Sequence, residues 1–249
     1  MTVIAVYSSK GGVGKTTLAI SLAGLSASQS CRRTLLWDLD PQGAASFLLG
    51  GEKAEYQHGF HNIETIFTQK LDPKNFIIPT ELPELDLLPA DISLRHLDAI
   101  LLKLDKRKRL KKILHFLAKD YDRIIMDCPP MVGALSDQLA EAVSLIVVPV
   151  PPDPLAYRSY QEIVSYFSEK SQMTFALMPV FNMVDKRRIT HKQAMEREKD
   201  WPVIPRTCLF EKMAQHRRPI TTYAPRSSAS LGLADLWLTV ERRLMTLKL

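Results

Sequence analysis

The chain has 249 residues, 46% hydrophobic and 24% charged, which suits one globular α/β domain spanning residues 1–249 with a substantial core. No apolar run approaches the ~18 residues of a membrane span. TVIAVYSS at the start is too short for a secretory h-region, and Cys31, Cys128 and Cys208 lack the paired spacings of a zinc or iron–sulfur site, so a cytoplasmic, reducing location is expected. The net charge of +6 is regional: residues 182–226 hold eleven Lys/Arg against five Asp/Glu and the remainder balances, which predicts a surface facing a polyanion.

In chain order, VIAVYS reads as a buried strand and LAISLAGLSA as a helix from about Thr16. Between them lies Lys10-Gly11-Gly12-Val13-Gly14-Lys15-Thr16-Thr17. A glycine loop between strand and helix lets backbone amides converge on phosphate oxygens at the positive end of a helix. Lys15 is placed to reach the terminal phosphates, and the Thr16 hydroxyl to reach Mg²⁺. TLLWD follows as a second strand and ends in Asp38-Leu39-Asp40-Pro41-Gln42-Gly43, with Asp38 and Asp40 two residues apart and pointing the same way.

The stretch 50–84 carries only weak helix and strand signals. A helix is predicted around 91–118, where Lys106-Arg107-Lys108-Arg109 and Lys111-Lys112 interleave with Leu101, Leu104, Leu110, Ile113 and Leu114 as the wet face of an amphipathic helix. RIIMD, SLIVVPV and TFALMPVF read as further strands, with a helix from about 155. The runs at 3–7, 34–38, 123–127 and 144–150 are continuously apolar, as in a parallel sheet covered on both faces. The expected fold class is therefore α/β: a doubly wound, mostly parallel sheet with helices on both faces. Prolines 129, 130, 149, 151, 152 and 154 punctuate strand ends, where such sheets form their binding crevice. Near the C-terminus Leu233, Leu236, Trp237, Val240, Leu244 and Leu247 form one apolar stripe, read as a packed terminal helix in preference to a membrane-binding tail.

The glycine loop departs from the ordinary phosphate loop, with Ser9 in place of the first glycine and an extra lysine at Lys10. In this it resembles the ParA/MinD family of deviant Walker P-loop ATPases, whose loop reads KGGVGKTT. DLDPQG at 38–43 and IIMDCPP at 124–130 continue the resemblance across most of the chain. The resemblance implies a P-loop NTPase fold and a weak, Mg²⁺-dependent ATPase with ATP and Mg²⁺ as cofactors. Lys10 would cross an ATP-dependent homodimer to touch the partner subunit's nucleotide, and Asp40 would place the attacking water. Asp127 and Thr16 would face the metal, with Asp38 supporting it. Gly11, Gly12, Val13, Gly14, Lys15, Thr16 and Thr17 would hold the phosphates, and Asn182 and Pro205 would lie at the adenine.

Family members place arginines along a DNA groove near Arg187, Arg188, Arg217 and Arg218, with Lys212 standing in for an arginine that this chain lacks after Ile204-Pro205-Arg206. Phosphate contacts of this kind give sequence-independent, salt-sensitive binding. The resulting expectation is a ParA-like ATPase associated with the nucleoid, which uses hydrolysis stimulated by a cargo-linked partner of ParB-like or adaptor type to segregate or position its cargo. The alternatives are a MinD-like membrane-surface regulator, for which membrane contact is not expected here, and a metabolic ATP-dependent ligase on the same fold.

Overall fold

The computed structural model describes residues 2–57, 63–69, 71–103, 108–169 and 175–247. In chain order, β1 (Thr2–Val6) leads to α1 (Lys15–Gln29), and β2 (Thr34–Asp38) to α2 (Ala44–Gln57) and the short α3 (Thr65–Thr68). Then β3 (Ile78–Pro79) and β4 (Leu85–Leu88) precede α4 (Leu97–Lys103) and α5 (Arg109–Leu117). The pairs β5 (Arg123–Asp127) with α6 (Ala134–Ala142), β6 (Leu145–Val150) with α7 (Pro154–Glu169), and β7 (Ala176–Val184) with α8 (Ile189–Arg197) repeat the unit. Finally β8 (Val203–Pro205) leads to α9 (Met213–His216), α10 (Ile220–Tyr223) and α11 (Ser228–Thr246).

Among the described residues the strands form one eight-stranded sheet in the order β3-β4-β2-β5-β1-β6-β7-β8. All pairings are parallel except β3 with β4. The continuously apolar strands serve two cores at once, because successive side chains point to opposite faces. On one face Val3, Ala5, Leu35, Trp37, Ile124 and Met126 meet the helices α4 to α7. On the other, Ile4, Val6, Leu36, Ile125, Leu145 and Val147 meet α1 and α11. Truncating a wholly buried member such as Leu22 to alanine should cost about 2–5 kcal/mol.

From the central β1 the chain moves past β5 to β2, while β6 to β8 lie on β1's other side, so the order reverses at β1. The carboxyl ends of β1, β5 and β2 meet there, where loops in such sheets leave a crevice for ligands.

Two expectations need correction. The helix predicted over 91–118 is a 3₁₀ turn at Ile92–His96 followed by the separate helices α4 and α5. Lys108 has non-helical dihedrals at the head of α5; Leu104, Lys106 and Arg107 lie outside the described residues. The strand β4 went unrecognised in LDLL because Asp86 interrupts its apolar run; that carboxylate accepts a hydrogen bond from the Tyr121 hydroxyl at 2.8 Å. At the C-terminus, Leu233, Leu236, Trp237, Val240 and Leu244 are buried against the sheet, so most of the apolar stripe is core, while Leu247 is exposed. Among the described residues, no helix is long and apolar enough to cross a membrane.

Candidate functional site

The loop between β1 and α1 is shaped by two glycines with positive φ, Gly12 at 70° and Gly14 at 89°. A Cβ at Gly14 would clash with the Asn182 amide nitrogen, so both backbone conformation and space require glycine there. A Cβ added at Gly11 or Gly12 would meet nothing within 4 Å, so the mouth of the loop is open. No side chain caps the N-terminus of α1, so its first N–H groups remain available to an anion.

Lys15 is buried, and its ammonium donates to the Lys10 carbonyl at 3.2 Å. Burial pushes its pKa down, while the carboxylates of Asp127 and Asp40 pull the other way. Lys10 takes a different path. Its ammonium leaves the loop and pairs with Asp153 at 3.3 Å, and the neighbouring Ser9 hydroxyl meets that of Ser159 at 3.0 Å. Asp153 also accepts from the Ala156 N–H at 2.9 Å, capping α7 just before Pro154. Two lysines five residues apart thus do opposite things, one folded into the cradle and one held outside it.

Strand register brings Asp127 beside Val6 on one side and beside Asp38 on the other. Asp38 is fully buried and engaged: one oxygen accepts from the Asp40 N–H at 3.1 Å, the other from the Ser46 N–H and hydroxyl, both at 2.8 Å. Burial raises its pKa to about 6 against those hydrogen bonds. Asp38 therefore fixes the β2–α2 loop and so the position of Asp40, whose own carboxylate accepts from the Gln42 N–H at 2.9 Å.

Asp127 is 1% exposed, and among the described residues neither of its carboxylate oxygens has a hydrogen-bond partner. Burial and then the neighbouring Asp38 charge drive its pKa well up; the Thr16 hydroxyl favours the ionised form without reaching hydrogen-bonding geometry. A buried, unpartnered carboxylate costs free energy unless a cation or proton satisfies it. With a second buried carboxylate, a hydroxyl and an open phosphate cradle beside it, the donor set is all hard oxygen and fits Mg²⁺, which keeps several waters and shares substrate phosphates. Among the described residues no cluster of three His, Cys, Asp or Glu forms a closed metal cage, and a phosphate-bridged ion needs none.

A cavity of about 910 Å³ opens next to Gly14 and Thr17, lined also by Asn182, Pro205, Arg187 and Phe210. Its size and position suit a nucleoside. Asn182 is buried with its amide N–H committed to the Val13 carbonyl at 2.7 Å, so in this structure it braces the phosphate loop from the cavity wall.

The five basic residues expected on a DNA face lie on two stretches of the chain, at the β7–α8 turn and around α9. Arg187 grips Asp185 through two nitrogens at 2.9 Å, and exposed Arg188 stands at the head of α8. On the other side of the sheet order, the Arg217 guanidinium lies 4.8 Å from the Phe47 ring centre and Arg218 pairs with Glu81 at 2.7 Å. Lys212 is exposed just ahead of α9. Exposed pairs of this kind contribute little and exchange readily for a phosphate.

Sequence reasoning passed over Asp153 and Ser159, which act on the loop from 143 and 150 residues away, and Ser46, which holds Asp38 from eight residues away. The one local signal was Asp153-Pro154, an N-cap followed by proline at the first helical position.

A family model described as an AAA domain matches residues 1–176. The sporulation initiation inhibitor protein Soj of Bacillus subtilis is 32% identical over 246 residues, covering 94% of this chain and 96% of that protein. The chromosome partitioning protein ParA of Myxococcus xanthus is 30% identical, covering 98% and 87%. Among solved structures, the cobyrinic acid a,c-diamide synthase of Mycobacterium smegmatis with bound ATP analogue and magnesium has a TM-score of 0.80 at 26% identity, covering 97% and 94%. A plasmid partition protein of Borrelia burgdorferi bound to AMPPNP has a TM-score of 0.78 at 24% identity over 96% and 98%, a likeness of fold. With its two-lysine phosphate loop, its aspartate-tipped parallel strands and relatives matched along nearly the whole length, this chain belongs to the ParA/MinD family of P-loop ATPases.

Proposed function

We propose that this protein is a ParA-like ATPase that dimerises with ATP, binds DNA without sequence preference, and releases it when a cargo-linked partner of ParB-like or adaptor type stimulates hydrolysis. The observation that carries this reading is the division between the two loop lysines. Lys15 is buried in its own cradle, whereas Lys10 is held at the surface on Asp153, free to exchange that exposed pair for a phosphate in a second subunit.

In the proposed mechanism the amides of Gly11 to Gly14 and the N-terminus of α1 hold the phosphates, and Lys15 neutralises their terminal charge. Thr16 and Asp127 would hold Mg²⁺, which when bound offsets phosphate charge in the transition state. Asp38 holds the turn that carries Asp40, and Asp40 orients the attacking water. Phosphoryl transfer depends on positioning and charge neutralisation, so a site without Lys10 from a partner turns over slowly. The cavity beside Asn182 and Pro205 receives the base. Nucleoid association follows from DNA binding by Arg187, Arg188, Lys212, Arg217 and Arg218.

The test is binding to nonspecific duplex DNA with ADP, with ATP, and with ATP on the Asp40→Ala variant, at low and raised salt. Tight, salt-weakened binding in the ATP and hydrolysis-blocked states supports the reading. Absence of DNA binding in every nucleotide state overturns it. The 26% likeness to a cobyrinic acid a,c-diamide synthase favours one second reading, ATP-dependent amide formation. That reading requires ATP turnover that DNA leaves unchanged and that cobyrinic acid with an ammonia source raises.

A further inference from the structure

Helix α11 carries two apolar stripes. The inner one packs on the sheet, while the outer one comprises Leu231, Leu238 and Met245, which are 57%, 52% and 63% exposed. These fall at every seventh position, two helical turns apart, so they form a line along the solvent face. Asp235 and Arg242 are exposed and sit four residues after Leu231 and Leu238, on the same flank of that line. Among the described residues neither has an ion-pair partner within the chain. The face therefore reads apolar, acidic, apolar, basic, apolar.

We propose that this outer face of α11 is a self-docking surface that pairs two copies of the chain antiparallel about a two-fold axis at Leu238. That arrangement lays Leu238 on the partner's Leu238, Asp235 against the partner's Arg242, and Leu231 against the partner's Met245, with both halves identical as an isologous contact requires. A parallel arrangement would oppose like charges at both polar positions, and an anionic lipid surface would meet Asp235 with the wrong sign. Beside Leu231 and Asp235 a groove of about 590 Å³ opens between α11 and the edge strand β8, with room for the flexible thioether of the partner's Met245.

Most of the surface is separate from the phosphate site, and only the groove at its Leu231 end shares Lys186 and Pro205 with the wall of the candidate base cavity. Arg123, the first residue of β5, pairs with Glu241, so the second half of α11 lies at the amino ends of the strands, away from the phosphate loop. The self-docking contact thus goes beyond the proposed ATP-dependent dimer and does not rest on it. Three apolar side chains and one acid–base pair per copy fall short of the ~1,200 Å² of a stable interface, so the contact is weak and concentration-dependent on its own.

The test is sedimentation velocity on the full chain without nucleotide and with EDTA, over a graded protein concentration, so that an ATP-dependent dimer does not contribute. The expected result is reversible dimerisation that Leu238→Glu, Asp235→Arg and Arg242→Asp each weaken by about tenfold or more. The double variant Asp235→Arg/Arg242→Asp restores the complementary order and should recover it. All these positions are exposed, and unchanged melting curves verify the fold. A monomer at every concentration, dimerisation indifferent to Leu238→Glu, or a double variant no better than the singles overturns the proposal. So does flotation with anionic vesicles that Leu238→Glu abolishes in the absence of self-association.

Discussion

The two ends of β5 bury opposite charges and treat them differently. Arg123 opens the strand at 1% exposure, pairs with Glu241 of α11 and lies 5.5 Å from the Trp237 ring centre, although its Nε and Nη1 find no acceptor. Asp127 closes the same strand at 1% exposure with both oxygens unpartnered. The Arg123 end binds α11 to the sheet, with Glu241 also taking Arg32 at 3.0 Å. At the Asp127 end no described residue hydrogen-bonds the carboxylate, although the Thr16 hydroxyl and the Lys15 ammonium favour its charge. A buried charge that the fold itself satisfies is architecture, whereas one left unsatisfied beside an open phosphate loop points to a ligand that completes it.

The contrast can be broken most severely through activity. Lys15→Ala and Asp127→Asn should each lower steady-state ATP turnover by ~100-fold or more, as loss of a preorganised charge partner does, while near-normal turnover in either would remove the site from the mechanism. At the other end of the strand, Glu241→Ala leaves Arg123 buried without its carboxylate. It should cost about 3 kcal/mol and lower the Tm by roughly 10 °C, with ATP binding retained in the folded fraction. Calorimetric melting curves read this directly, and an unchanged Tm would mean that the pair contributes nothing.

The third effect has the opposite sign. In nucleotide-free protein, at a pH high enough to ionise Asp127, Asp127→Asn removes an unpartnered charge, so there the variant should melt a few degrees above wild type, a gain of about 1–2 kcal/mol. A lower Tm would mean that the carboxylate is satisfied in the free protein.

The smallest effect is a pH dependence. Asp38, and Asp127 in the same direction, have folded-state pKa values raised above those of the unfolded chain. Between the unfolded value near 4 and the folded value of about 6 for Asp38, the native state binds more protons than the unfolded state. The contribution of Asp38 to nucleotide-free stability is therefore fullest at low pH and is lost as pH rises through about 6, and Asp127 adds a loss of the same sign as it ionises. Chemical denaturation between pH 5 and 7.5 should show this decline in wild type and a shallower one in Asp127→Asn.

Much of this site could be read from the chain because its motifs are local. The KGGVGKTT loop lies between a buried strand and a helix, and Asp38 and Asp127 each end a continuously apolar strand. The same apolar runs indicated the parallel sheet, since only strands covered on both faces are apolar throughout. What stayed hidden depends on distant partners. Asp153 holds Lys10 from 143 residues away, and Asn182 braces Val13 from 169 residues away. Strand β8 is three residues long, too short for a periodic signal, and the break between α4 and α5 was masked by leucines that kept helical spacing on both sides. On α11 the buried stripe was visible, but the exposed line of Leu231, Leu238 and Met245 emerged only once the helix was seated on the sheet.

The proposed role of Asp127, left unpartnered by the described residues, is to serve a phosphate-bound magnesium ion. Its most direct test is to titrate Mg²⁺ into ATP-loaded wild type and Asp127→Asn while measuring ATP affinity and turnover. Wild type should gain both with Mg²⁺, while Asp127→Asn should bind ATP equally with Mg²⁺ or EDTA and fail to turn it over. A variant that retains the full Mg²⁺ dependence of the wild type would contradict the account.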